Sequence, residues 1–141
     1  MGATKEVYHD IINAQKKGKV LVLVVKAKWF EMYVENYKKE DYRAVTPYWE
    51  KRILKHYLGA FDKPVYKEFD FVDIRRGYSK IRAIFKFEGV TMKTPNKFWA
   101  PPEFHDIIHF AIEVGEMVYI ENVYSEIDNM LAKRSGDENQ F

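Results

Sequence analysis

The densest chemistry in the chain lies in Asn36-Tyr37-Lys38-Lys39-Glu40-Asp41-Tyr42-Arg43, followed closely by Pro47-Tyr48-Trp49. Cations there match phosphates. Arg43 adds a planar fork for bidentate contacts. Asp41 can accept from a base amino group. It can also activate water, helped by Lys38 if burial among other cations lowers the pKa of the amine. Aromatic rings stack on bases of single-stranded or flipped-out nucleotides. Trp49, Tyr78 and Trp99 are the stacking candidates, although core packing is the first reading of each tryptophan. Read as a strand, Lys39, Asp41 and Arg43 alternate with Lys38, Glu40 and Tyr42, so both faces are polar. Such a strand sits at an edge or lines a wet cleft. By residue types alone, a solvated edge whose charges block further pairing comes first.

Other chemistries find less support. There is no phosphate loop and no dinucleotide glycine fingerprint. His105 and His109 are four apart with Asp106 between them, a spacing that on a helix could share a metal. They are read instead as structural or surface histidines on a strand, and no metal or cofactor is expected. His9 and His56 stand alone, and no serine has a recognisable nucleophile context. The chain has no cysteine, which removes disulfides, zinc thiolates and a thiol nucleophile and fits a reducing compartment.

The elements that must position these residues can be read in order. A helix capped by Thr4 is expected through Gln15, ending near Lys16-Lys17-Gly18. Val20 to Val25 is a continuous β-branched run, a buried central strand. A short helix follows over Lys28 to Val34, with Trp29, Met32 and Tyr33 on one face. The polar strand comes next. Thr46-Pro47 opens another helix with Glu50 as capping-box partner, predicted to run from Tyr48 to Leu58. Its cations Lys51, Arg52, Lys55 and His56 cluster. A strand over Phe69 to Ile74 leads into a turn at Arg75-Arg76-Gly77-Tyr78-Ser79. Lys80 to Val90 alternates as a half-buried strand, and Thr94 to Pro102 is a loop. Ile108, Phe110, Ile112 and Val114 alternate as a strand. A turn is expected at Val114-Gly115-Glu116, a last strand over Met117 to Val123, and a helix over Glu126 to Lys133. Short strands, turn signals and few helices indicate a small barrel or rolled sheet.

The 141 residues allow one domain with a real core, and ten Tyr and ten Phe bring many hydroxyls and rings to place. The net charge of +2 does not by itself imply nucleic acid. No stretch is long enough to span a bilayer and no signal peptide is visible, so a cytoplasmic protein without a membrane partner is the expectation.

The central segment resembles the signature of the ASCH domain family, a branch of the PUA-like barrels, Gly-x-Lys-x-x-Glu-x-Arg. Lys38 and Arg43 match. Asn36 stands where the family usually has Gly, and Asn tolerates positive φ. Asp41 stands for Glu, keeping the charge with a shorter reach. Lys26-Ala27-Lys28-Trp29-Phe30-Glu31-Met32 resembles the helix before the turn. Pro47-Tyr48-Trp49, Arg76-Gly77-Tyr78-Ser79 and Ile112-Glu113-Val114-Gly115-Glu116 resemble segments of one family branch. The similarity spans about Val20 to Val123.

The resemblance implies an α+β fold, a PUA-like small mixed β-barrel with short flanking helices. The expected units are a helix over 1–18, the barrel over 19–124, and a C-terminal helix and frayed tail over 125–141. It further implies one cleft bordered by Lys26, Lys28, Lys38, Asp41, Arg43, Trp49, Arg75, Arg76, Tyr78 and Ser79. The partner it implies is RNA, a nucleotide or a modified nucleoside. An enzyme is the alternative: family members resemble amidohydrolases of N4-acetylcytidine, and others are ribonucleases. In the amidohydrolase type the signature Lys is the base, matched by Lys38, and a Thr nucleophile occupies the position of Asp41. Lys38 and Asp41 would then be catalytic, with Asp41 activating water. On this reading Lys38→Ala with Arg43→Ala abolishes binding and leaves the melting temperature nearly unchanged. Oligomeric state is left open.

Overall fold

The computed structural model describes residues 5–56, 63–121 and 141. Its elements run α1 (Lys5–Lys16), β1 (Val20–Val25), α2 (Ala27–Val34), β2 (Glu40–Ala44), α3 (Pro47–Ile53), β3 (Phe71–Arg76), β4 (Arg82–Lys93), a 3-10 turn (Pro102–Phe104) and β5 (His109–Glu121). The five strands form one curled, half-barrel sheet in the order β1-β3-β4-β5-β2. β1 and β3 are parallel, and every other pair is antiparallel. The expected α+β class and rolled sheet are therefore present. Among the described residues no helix is long and apolar enough to cross a membrane.

Alternation decides the two faces. Leu21, Leu23 and Val25 of β1 line up with Val72 and Ile74 of β3, and these with Phe85 and Ala83 of β4. All are buried, with Phe30 and Tyr33 of α2 and Phe110 and Ile112 of β5 in the same core. α1 packs against β1 and β5, with Tyr8 on the Tyr119 ring. Its buried side is Ile11 and Ala14. Asp73 and Ile84 lie on the sheet face opposite Val72 and Ala83, yet they too are fully buried. The second face is thus covered at Asp73 and Ile84, while Val22 of β1 and Lys86, Glu88, Thr91 and Lys93 of β4 are exposed, so the half-buried alternation predicted for β4 is present from Lys86 onward.

Two predicted boundaries are corrected. β5 is a single strand, and the turn expected at Val114-Gly115-Glu116 is absent. The glycine serves a close approach instead: a Cβ on Gly115 would overlap the Glu88 side chain. The pairing of β4 with β5 shifts register between Ile84 and Gly89, with extra residues on β5 around Val118 and Gly115 and one on β4 at Glu88, so both strands bulge here. The helix expected through Leu58 ends at Ile53. Leu54 leaves it to form a bridge with Tyr66, and Lys67 N donates to Ile53 O at 2.8 Å. Lys51, Arg52, Lys55 and His56 are exposed, and the Arg52 guanidinium lies 3.5 Å from the Tyr48 ring centre. The Thr4 cap, Tyr57-Leu58 and the helix over Glu126 to Lys133 fall outside the described residues.

Candidate functional site

The carboxyl end of α2 places the lysine. Asn36 has φ 66, and Tyr37 N and Lys38 N both donate back to Met32 O, at 2.9 and 3.2 Å. This left-handed wrap closes the helix and turns Lys38 beneath it. The positive φ predicted for Asn36 is present. Lys38 Nζ donates to Tyr33 Oη at 3.0 Å and to the Glu40 carbonyl.

Lys38 is only 1% exposed. Its ammonium nitrogen stands 4.9 Å from the ring centre of Tyr33, 5.4 Å from Trp29, 5.5 Å from Tyr42 and 5.8 Å from Trp99. These are cation–π distances. Its pKa is lowered to about 8: burial is the main cause, opposed by the Asp41 and Glu40 charges and reinforced by that of Arg43. The Tyr33 hydroxyl moves the other way, well above its ordinary value, first through burial and then through the Asp41 charge.

β2 supplies the rest. Asp41 and Arg43 face the same way by alternation, opposite Ile112 and Phe110 of β5. Arg43 Nε meets Asp41 Oδ1 at 2.6 Å and Nη2 meets Oδ2 at 3.3 Å, a bidentate fork. Tyr33 Oη lies 3.3 Å from the same Oδ2. Nη2 also donates to Val24 O at 2.9 Å. The Arg43 guanidinium carbon stands 4.7 Å from the Trp49 ring centre. Trp49 is fixed at the start of α3, where its N–H donates to Thr46 Oγ1 at 3.4 Å. The result is a continuous chain of contacts, Lys38–Tyr33–Asp41–Arg43–Val24. The solvated-edge reading of this strand is overturned: Asp41 is 0% and Arg43 1% exposed. Their partners come from α2 and β1, which alternation within one strand cannot show.

The remaining predicted residues fall at the carboxyl ends of β1 and β3. Lys26 precedes α2 as its N-cap. Lys28 is exposed, with Nζ 4.4 Å from the Trp29 ring centre. Arg76 pairs with Glu31 at 3.2 Å. Arg75 faces the opposite side of β3 and pairs with buried Asp73 at 3.1 Å, as Arg82 does. Gly77 N donates to Val25 O at 2.8 Å, setting this turn one residue along β1 from the carbonyl that Arg43 takes. Tyr78 is exposed. The Ser79 hydroxyl donates to Arg76 O at 2.6 Å and accepts from Ile81 N at 3.2 Å, so it serves the turn. Lys38, Asp41, Arg43 and Trp49 are thus one cluster, and Arg75 is separated from it by the sheet.

Trp99 closes the lysine enclosure. Its ring meets Trp29 edge-on at 5.9 Å and Phe98 at 4.7 Å, and Phe98 is 81% exposed. Asn96 holds this turn, its carbonyl accepting from Trp99 N and Ala100 N and its Oδ1 from Phe98 N. Trp29 Nε1 is buried and has no hydrogen-bond partner.

Sequence reasoning assigned no site role to Trp29, Tyr33 or Tyr42. Trp29 and Tyr33 are four apart on α2, and that shared face was the available signal. His105 Nε2 bonds Ala100 O and His109 Nδ1 bonds Ile107 O, at 2.9 and 2.7 Å. Among the described residues, no group of His, Cys, Asp or Glu is arranged to hold a metal ion. No protein-family model, curated protein or solved structure matches this chain.

Proposed function

We propose that the Lys38 cluster is a recognition site for a single nucleobase or nucleoside, free or within an RNA strand, in the manner of an ASCH domain. One observation carries this reading. A buried ammonium is enclosed by Trp29, Tyr33, Tyr42 and Trp99 and joined through Tyr33 to a buried carboxylate. Flat aromatic walls with a few fixed polar groups suit a base. The orphaned Trp29 Nε1 is a donor that a ligand oxygen or ring nitrogen would satisfy. The resemblance of Asn36 to Arg43 to the ASCH signature supports the same reading.

The burial refines it. Lys38 and Arg43 do not face solvent, so a long phosphate backbone is not their partner in this conformation. A base enters where Trp99 now covers Lys38, and exposed Lys28 is the nearer cation for a flanking phosphate. Arg75 and Ser79 have no part in this site.

The amidohydrolase reading is favoured by the burial of the Lys38 amine beside Asp41 and Tyr33, which lowers its pKa to about 8. At pH 7 roughly one lysine in ten is then neutral, enough to act as a base. Lys38 would take a proton from water as the water oxygen attacks the acyl carbon, and would return it to the leaving amine. Asp41 would orient that water. Both its oxygens already accept from Arg43 and Tyr33, so neither is free to bond carbon.

A ligand-observed NMR screen with product analysis tests both readings. The panel is cytidine, N4-acetylcytidine, nucleotides and short RNA and DNA oligomers. Binding without turnover, lost in Lys38→Met, supports recognition. Release of acetate, lost in the same variant, replaces it with the hydrolase, and strand cleavage replaces it with a ribonuclease. Silence across the panel removes the nucleic-acid reading.

A further inference from the structure

Phe141 is 2% exposed. Its ring centre lies 5.1 Å from His109, 5.3 Å from Phe104 and 5.7 Å from Tyr42. Its carbonyl accepts from Tyr42 N at 2.7 Å. Among the described residues β2 ends the sheet, with β5 on one side only. The Tyr42 amide is therefore a donor on the free edge, and Phe141 meets it as a residue of an added strand would.

The walls of this pocket hold each other without help from Phe141. His109 Nδ1 is fixed on Ile107 O at 2.7 Å, and the Phe104 ring meets His109 edge-on at 5.8 Å. Tyr42 Oη donates to Glu40 Oε1 at 2.7 Å, and Glu40 Oε2 pairs with Lys93 at 2.6 Å. A preformed aromatic pocket beside an open strand edge is the arrangement by which sheets capture extended peptides. Backbone bonds give affinity there, and a side-chain pocket gives specificity.

We infer that the free edge of β2, with Tyr42, Phe104 and His109, is a docking site for an extended segment carrying phenylalanine. Phe141 is its occupant in cis. The inference is independent of the nucleoside reading. Cis occupancy acts at an effective concentration on the order of millimolar, so a free peptide at micromolar concentration competes poorly until Phe141 is removed. The docked residue also covers an edge that would otherwise be open to a second strand.

The probe is a fluorescein-labelled peptide with the sequence of residues 136–141, and the proteins are the full chain and Phe141→Ala. The expected result is saturable binding to Phe141→Ala, about tenfold or more tighter than to the unaltered chain. It is lost when the peptide phenylalanine becomes alanine and in Phe141→Ala/Phe104→Ala. Equal binding of both peptides, or no binding by a Phe141→Ala protein with an unaltered circular dichroism spectrum, overturns the inference. If Phe141→Ala does not fold, the unaltered chain is titrated with unlabelled peptide to several millimolar. The Tyr42 amide resonance must then move, and a stationary one overturns the inference.

Discussion

Arg43 of β2 donates from Nη2 to the carbonyl oxygen of Val24 on β1, 2.9 Å away. β2 and β1 are the two ends of the sheet order, so one side chain spans the open seam of the half-barrel. The same guanidinium holds Asp41. Arg43 is thus a structural clasp as well as a neighbour of the site.

Arg43→Ala therefore destabilises the protein by about 3–5 kcal/mol, the cost of leaving a buried carboxylate without its partner. Denaturant unfolding checks this. The expectation that Lys38→Ala with Arg43→Ala leaves the melting temperature unchanged does not survive the burial of the pair. A site test must vary Lys38 and leave Arg43 in place.

Much of this arrangement was legible in the sequence. Val20 to Val25 gave a strand by β-branched continuity, but it lies at the end of the sheet order with Val22 exposed rather than central and buried throughout; Thr46-Pro47 gave the helix start, and Asn36 gave the positive φ. The meeting of Lys38 with Tyr33 was not legible, because it depends on how tightly the chain wraps after α2. Nor was the clasp from Arg43 to Val24, which exists only once the sheet curls. Gly115 was misread because glycine marks turns and close approaches alike, and only the irregular pairing of β5 with β4 tells them apart.

Lys38 sets a pH dependence. Its pKa is near 8 in the folded chain and 10.5 ordinarily. Between those values the unfolded chain holds a proton that the folded chain has lost. Stability therefore rises with pH through that window, by up to about 1.4 kcal/mol per pH unit. Other lysines and tyrosines titrate there too, so the measured quantity is the stability of the unaltered chain relative to Lys38→Met. That difference should grow in favour of the unaltered chain from pH 8 to 10. A flat difference contradicts the lowered pKa.

Trp99→Ala opens the enclosure to water and relieves the desolvation of Lys38. The pKa of Lys38 should then climb from about 8 toward its ordinary value. NMR titration of the lysine side chain reads this directly, and an unchanged pKa means that Trp99 is not the cover.

Two glycines separate conformational need from space. Gly89 has φ 142 with nothing within 4 Å of an added Cβ. Gly89→Ala should cost about 1–3 kcal/mol through backbone strain alone. Gly115→Ala meets only the side chain of Glu88, which is exposed and can swing away. It should cost less than about 1 kcal/mol. Chemical denaturation of both variants checks the order, and the reverse order would mean that β4 and β5 pair differently there.

The central claim is that a base is read at Lys38. Its most direct test is selective NMR observation of the Lys38 side chain while nucleosides and short RNA are added to the intact protein. The account predicts that a binding nucleoside shifts the Lys38 resonance and moves its pKa from about 8, with both changes absent in Lys38→Met. Nucleic acid that binds while the Lys38 resonance and its pKa stay fixed would contradict it and move recognition elsewhere on the surface.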